Sequence, residues 1–237
     1  MQYADVVAAS TAVAATTKRS DKVAVLAGLL RAAAPEEVAP LIGLLVGEPA
    51  QGRLGVGWAT LAGARVEPAA LATVTVAEVD EALTTLAAAH GEGSQRQRAE
   101  VLGALMRRLT EQEQQHLVRV LGGELRQGAN EGVVADAVAK AAGVSGPALR
   151  RAAMLLGDLG AAAGLALAGQ PLAVGLATGV GVQPMLAGTA ASVAEALHLT
   201  GPASVEWKLD GARVQVHRRG DAVQVFTRSL REISAAV

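Results

Sequence analysis

The spacing of apolar residues changes near residue 180, and this change constrains the fold more than any other feature of the sequence. Before residue 180, apolar side chains recur every three or four positions, as on one face of a helix. After it, residues 212–218 and 222–228 alternate as half-buried strands do, and Gly220-Asp221 between them fits a hairpin turn. We therefore predict a mainly α chain, with an all-α domain over residues 1–180 and the first β-hairpin portion of an α+β domain over residues 181–237.

The helical part divides at polar and glycine-rich breaks. Thr75 (or Thr73 before it) and Ser94 are predicted N-caps, Ser20 or Asp21 is a third, and Thr110 opens a capping box with Glu113. We predict one long helix after Gly146-Pro147 that buries Leu159, an irregular region over residues 47–67, and a strand over residues 203–208. The other predicted helices cover about residues 3–15, 21–33, 35–46, 77–89, 94–108, 110–121, the segment from near Asn130, and 190–198.

Composition limits the classes of function. The net charge is −1, so any binding of polyanions must come from local clusters rather than from the whole surface. The absence of cysteine excludes disulfides and thiolate metal sites and fits a reducing cytoplasm. The four histidines lack ligand spacing, so we expect no zinc site.

One uncharged run, between Asp158 and Glu195, is long enough to span a bilayer. Glycines and two prolines interrupt it, which favours a buried helix end followed by a linker. We expect a cytoplasmic monomer without a membrane segment.

The densest group of reactive side chains is Glu206-Trp207-Lys208-Leu209-Asp210-Gly211-Ala212-Arg213. A lysine amine can form a covalent intermediate when it is desolvated and neutral, and a nearby cation such as Arg213 favours the neutral form. Glu206 could accept hydrogen bonds from a ligand, and Gly211 permits close backbone approach. This pattern suits phosphoryl or nucleotidyl transfer. The alternative is a surface hairpin with a Lys–Glu pair.

Several cations stand at or near predicted helix N-termini, where backbone amides and charge hold phosphates without reading sequence. Each could equally be an ordinary solvated charge. The loop from Gly52 to Gly57 is either a surface connection or a further phosphate contact. The candidates for phosphate contact are Lys18, Arg19, Arg53, Arg126 and Arg150.

The run Glu206–Arg213 resembles motif I of the ATP-dependent DNA ligases, within the covalent nucleotidyltransferase superfamily. Gln183-Pro184-Met185-Leu186-Ala187 resembles the start of that family's adenylation domain, and Phe226-Thr227-Arg228-Ser229 resembles motif Ia. The helical part is similar to the family's DNA-binding domain, with Leu125-Arg126-x-Gly128-x-x-Glu131 and the Gly52–Gly57 loop as counterparts. The arrangement is most similar to the actinobacterial and archaeal type, whose DNA-binding domain precedes the catalytic core.

This resemblance implies a role for each matching residue. Lys208 would attack the α-phosphate of ATP, Glu206 would bind the adenine amino group, and Asp210 would help to position lysine and nucleotide. Arg213 would contact the ribose, and Arg228 would contact nicked double-stranded DNA near its 5′-phosphate. The resemblance also implies that the five cations named above contact DNA, and for Arg126 it favours this role over an ordinary solvated charge. Gly128 joins the DNA-binding candidates on the same basis, and Mg²⁺ is expected as the metal that phosphoryl transfer needs.

The sequence departs from the family pattern after Val237, because motifs III, IIIa, IV, V and VI are absent. We therefore expect an N-terminal fragment that cannot seal nicks alone. The alternative function is a non-catalytic helical DNA-binding module with a vestigial hairpin. RNA capping or RNA ligation is less favoured, because neither accounts for about 180 helical residues ahead of the motif.

Overall fold

The computed structural model describes residues 1–52, 54–64, 66–182, 184, 188–207 and 210–236. These residues form a mainly helical protein with one two-stranded sheet, so the predicted mainly α class is confirmed at that level. Short 3-10 turns cover Pro35–Glu37 and Ser234–Ala236. The helices are α1 (Tyr3–Ala14), α2 (Arg19–Ala32), α3 (Val38–Val46), α4 (Trp58–Gly63), α5 (Val76–Ala88), α6 (Ser94–Met106), α7 (Glu111–Leu121), α8 (Glu131–Ala142), α9 (Gly146–Leu156), α10 (Leu159–Leu167) and α11 (Val193–Thr200), and the strands are β1 (Val214–Arg219) and β2 (Ala222–Thr227).

The chain divides into two compact units. The larger comprises Met1–Ala153 with Asp158–Val174, and the smaller comprises Met154–Gly157 with Gly175–Val237. The domain boundary that the sequence suggests near residue 180 stays a prediction. Among the described residues, no helix is both long and apolar enough to cross a membrane.

The core of the larger unit lies where α2 packs on α8 and where α3 packs on α10. Leucines such as Leu26, Leu30 and Leu41 are almost fully buried there, beside small residues that are equally buried, including Ala137. Small side chains let the helix backbones approach closely: a Cβ added at Gly160 of α10 would lie 3.3 Å from Cα of Ala39 in α3. The alanine-rich composition therefore supports close helix packing without aromatic side chains.

Two of the predicted caps are confirmed and two are wrong. Thr75 accepts from the Glu78 backbone amide, and the Glu113 carboxylate accepts from the Thr110 backbone amide, at 3.2 and 2.8 Å respectively. Helix α2, however, begins at Arg19 after Lys18, so neither Ser20 nor Asp21 caps it. Ser94 is the first residue of α6 and not its cap, because Gly93 at φ +80° occupies the N-cap position.

Two segment predictions in the helical region are also wrong. The single long helix after Gly146 ends at Leu156, because Gly157 has a φ of +66° that helical backbone cannot adopt. Asp158 then caps α10 by accepting from the Ala161 backbone amide at 3.1 Å. In addition, residues 58–63 of the region predicted to be irregular form the short helix α4.

In the smaller unit, β1 and β2 form the predicted antiparallel hairpin. Val214 pairs with Thr227 and Arg219 with Ala222, which leaves Gly220-Asp221 as the two-residue turn. Gly220 has a φ of +60°, which such turns require. The predicted strand over residues 203–208 is wrong for its described part, because residues 203–207 belong to no strand.

Three alternate residues of β1 attach the segment before α11 to the hairpin. The Gln215 side chain accepts from the Val182 backbone amide at 2.9 Å and donates to its carbonyl. His217 Nδ1 accepts from the Gly179 amide at 2.9 Å, and Arg219 donates to the Thr178 carbonyl at 2.6 Å. Side chains two positions apart lie on one face of a strand, so one face of β1 binds residues 178–182.

Candidate nucleic-acid interface and nucleotide site

Asp136 of α8 joins two of the predicted DNA-binding arginines. Its Oδ2 accepts from Arg19 Nη2 at 2.7 Å and from Arg19 Nε at 3.2 Å, and its Oδ1 accepts from Arg150 Nη1 at 2.8 Å. Both arginine side chains are about half exposed, at 58% and 50%. A guanidinium has five N–H donors, so each retains donors beyond those that Asp136 uses. The carboxylate thus fixes two cations side by side, in an arrangement suited to phosphate oxygens.

The first turns of α2 and α8 lie next to each other. Arg19 also donates to the Gly132 carbonyl at 3.2 Å, whereas Arg31 near the end of α2 donates to the Lys140 carbonyl near the end of α8 at 3.3 Å. These contacts mean that the two helices run in the same general direction. Lys18, exposed at the N-cap of α2, therefore lies at the end where both helices begin.

The loop before α8 holds Arg126 and Gly128, and both residues are exposed. Gly128 has a φ of +69°, and Asn130 caps α8 by accepting from the Val133 amide at 3.1 Å. Beneath this loop lies Lys22, whose Nζ donates to the Gly128 carbonyl at 2.9 Å. The structure therefore brings Lys18, Arg19, Gly128 and Arg150 to the α2–α8 surface or its adjoining loop. Sequence reasoning missed Lys22 and Asp136, since nothing in their spacing marks one as buried or the other as shared.

The remaining predicted interface residue, Arg53, lies outside the described residues. The loop around it borders an open groove of about 1020 Å³ that reaches Gly123. Gly55 in this loop has a φ of +66°, and a Cβ there would lie 2.6 Å from Cζ of Arg98. Arg98 is itself buried and donates to the carbonyls of Leu86 and Ala89, so the loop packs on a fixed guanidinium.

The open end of the hairpin brings together Arg213 and Arg228. Because Val214 pairs with Thr227, the residue before β1 lies across from the residue after β2. Both arginines are exposed and line a shallow pocket of about 260 Å³ with Val182, Pro184 and Gln215. Two guanidinium groups beside one pocket repel each other unless an anion lies between them, so this end of the hairpin suits a phosphate or another anion.

Among the described residues, the other polar members of the Glu206–Arg213 run do not line a common pocket with Arg213. Lys208, the predicted nucleophile, lies outside them. Glu206 is exposed and accepts from the Ser204 hydroxyl at 3.1 Å, and Asp210 is exposed. Neither carboxylate lines the pocket of Arg213 and Arg228 as that pocket is formed by the described residues. Glu206 lies within the segment 203–208 that is predicted to be a strand, and the described residues 203–207 of that segment form none.

Comparison with known proteins finds a family model for part of the helical region and another for the region that contains the hairpin. Residues 65–139 match the family model for the DNA ligase N terminus, and residues 184–237 match that for the ATP dependent DNA ligase domain. The two models, matched in this order along one chain, define the class of the DNA ligases. The chain belongs to the ATP-dependent DNA ligase family.

Relatives match along almost the whole chain. Proteins named "Probable DNA ligase" from Pseudarthrobacter chlorophenolicus and Nocardia farcinica are each 52% identical, over 97% and 100% of this chain. One of the same name from Streptomyces griseus is 50% identical over 99% of it. In each case the matched region is 46% of the relative, so the chain spans about half the length of the relatives it matches.

Proposed function

We propose that this chain supplies the DNA-binding region and the first part of the nucleotide-binding domain of an ATP-dependent DNA ligase that seals nicks in duplex DNA. The observation that carries the proposal is the Glu206–Arg213 run, which leads directly into a hairpin whose open end pairs Arg213 with Arg228. The relatives support it, because the match to the Nocardia farcinica protein covers the whole chain, including the helical region and this run.

In the proposed reaction, the neutral amine of Lys208 attacks the α-phosphorus of ATP. A P–N bond forms, the bond to the β-phosphate oxygen breaks, and pyrophosphate leaves with the negative charge. The 5′-phosphate of the nick then attacks the same phosphorus and releases the lysine. Finally, the 3′-hydroxyl attacks the activated 5′-phosphate, AMP leaves, and the phosphodiester is closed.

The other motif residues bind and orient the nucleotide and the DNA. Glu206 accepts a hydrogen bond from the adenine amino group, Asp210 positions lysine and nucleotide, and Arg213 contacts the ribose. Arg228 contacts the 5′-phosphate of the nick, and its place beside Arg213 supports a shared anion pocket. We assign Mg²⁺ to none of these residues. The described part of the chain holds no group of three or more His, Asp or Glu side chains that could hold a metal ion.

Duplex DNA binds to the helical unit chiefly through its phosphates. The proposed contacts include Arg126 and the loop backbone at Gly128, with Lys18, Arg19, Arg53 and Arg150 around them. We propose that the protein acts in the cytoplasm as a monomer. Light scattering with and without duplex would test the monomeric state. Binding by the 237-residue chain should be visible by mobility shift at low salt and should weaken as salt rises.

Labelling with ATP tests the chemical step. We expect a chain extended to the length of its relatives to acquire acid-labile AMP from ATP labelled at the α-phosphate, in the presence of Mg²⁺. Lys208→Ala should abolish the label, and Lys140→Ala, a change at an exposed lysine of α8, should leave it intact. Label that persists in Lys208→Ala would contradict the assignment of the nucleophile. An extended chain that binds nicked DNA but never acquires AMP would instead support a non-catalytic binding module.

A further inference from the structure

Lys22 is a buried cation without a described carboxylate within ion-pair distance. Its residue is 9% exposed, and its Nζ donates to the Gly128 carbonyl at 2.9 Å and to the Gln127 carbonyl at 3.4 Å. Burial of an ammonium group is unfavourable unless hydrogen bonds replace its water. Both replacements come from the loop before α8, so the position of this loop and the burial of Lys22 depend on each other.

The neighbouring loop residues are adapted to this contact. A Cβ at Gly128 would lie 2.5 Å from Nζ of Lys22, and the φ of +69° independently disfavours any other residue there. Gln127 is 4% exposed, and its side-chain amide donates to the Leu45 carbonyl at the end of α3. The loop is therefore tied to α2 through its carbonyls and to α3 through a side chain, directly after Arg126.

We propose that Lys22 is a positioning residue for DNA binding, which holds the Gln127–Gly128 backbone and thereby fixes Arg126 beside the start of α8. The inference rests on the proposed function, because it assumes that Arg126 contacts DNA. Lys22 acts through the loop and makes no phosphate contact of its own. Arg150 is held by Asp136 from a different helix, so its contribution does not depend on Lys22.

A double-mutant cycle on the 237-residue chain tests this dependence, with anisotropy of a labelled nicked duplex as the measurement. Arg126→Gln should weaken binding about tenfold, as expected for a charged hydrogen bond to phosphate. It should also reduce the salt-dependence slope by about 0.9, the value for one phosphate contact. Lys22→Met should weaken binding to a similar extent, and in that background Arg126→Gln should add less than about a twofold loss.

Two controls separate positioning from a general loss of structure. Arg150→Gln should cause the same loss in the wild-type and Lys22→Met backgrounds, and Lys140→Met, at an exposed lysine of the same helix pair, should change nothing. If Lys22→Met does not fold, as judged by circular dichroism, Lys22→Gln gives the same test, because it removes the ammonium group and leaves every residue of the loop before α8 unchanged.

The outcomes are distinct. Full additivity of the Lys22 and Arg126 substitutions would overturn the inference and leave the proposed function standing. An equal weakening of the Arg150 effect in the Lys22→Met background would overturn it as well, because the change would then be general. A wild-type chain that fails to bind nicked duplex even at low salt would overturn the proposed function, and this inference with it.

Discussion

At the scale of single residues, the most consequential buried group outside the proposed sites is His116. It is 1% exposed, its Nδ1 lies 2.7 Å from the Tyr3 hydroxyl, and its Nε2 is buried without a hydrogen-bond partner among the described residues. Burial, with a smaller contribution from the Arg119 charge, lowers the pKa of His116 from 6.5 to about 4. Burial and the nearby Glu113 charge raise the pKa of Tyr3, so its phenol stays protonated. In the imidazolium form both ring nitrogens of His116 carry a proton, and the proton on Nε2 has no acceptor among the described residues.

We predict that the protein loses stability in mild acid because of this histidine. The unfolded chain takes up the proton near pH 6.5 and the folded chain only near pH 4, so protonation favours unfolding as the pH falls through that window. The total loss should be about 3 kcal/mol. Urea unfolding between pH 7 and 4 measures it. His116→Gln should flatten the dependence above pH 5, and His90→Gln, at an exposed position, should not.

At the scale of elements, the conformation of the loop before α4 depends on the close contacts of one glycine, Gly55. Gly55 combines a φ of +66° with contact against the Arg98 guanidinium, whereas a Cβ at Gly63, the last residue of α4, would meet nothing within 4 Å. The loop before α4 therefore has its conformation fixed at Gly55, and the helix after it tolerates a larger side chain.

We expect Gly55→Ala to lower the free energy of unfolding by about 1–3 kcal/mol, through backbone strain and displacement of Arg98. Gly63→Ala should leave stability unchanged or raise it by less than about 1 kcal/mol, because alanine favours helix. Chemical denaturation of the two variants provides the comparison. Equal effects of the two substitutions would show that Arg98 does not depend on the space at Gly55.

The elements also show which features of the fold could be predicted from the sequence and which could not. Helix α5 follows from its apolar spacing and the Thr75–Glu78 cap, and the hairpin follows from alternation around Gly220-Asp221, because both signals are local. The break at Gly157 was missed because one glycine inside a helical pattern does not disclose its φ. Within the candidate interface, Arg19 and Arg150 were found as cations near helix N-termini. Their connection through Asp136, and the burial of Lys22, arise only from tertiary packing.

At the scale of the whole molecule, the two units differ in how many apolar residues they bury. Within the described part of the smaller unit, the buried apolar residues are Leu155, Val225 and Phe226, whereas the larger unit buries leucines from most of its helices. Local opening is easiest where few apolar contacts must be broken. The hairpin should therefore open without unfolding of the helical unit.

Hydrogen exchange tests this expectation. Amides of β1 and β2 should exchange about a hundredfold faster than those in the centres of α2 and α8, which corresponds to about 3 kcal/mol less protection. The comparison uses the amides of residues that pair across the hairpin, such as Gln215 and Phe226. Equal protection in the two regions would mean that the chain unfolds as one cooperative unit.

The common direction of α2 and α8 has a consequence at long range. The partial positive charges of both helix N-termini add at one end, and the cations there outnumber the acids Asp21, Glu131 and Asp136. We expect this end of the helix pair to be locally positive, although the net charge of the chain is −1. A polyanion should therefore attract this end before any contact forms. This attraction acts at separations of up to roughly one Debye length, which is about 8 Å at physiological salt. The cations involved at this end of the helix pair are Lys18, Arg19, Lys22, Arg126 and Arg150.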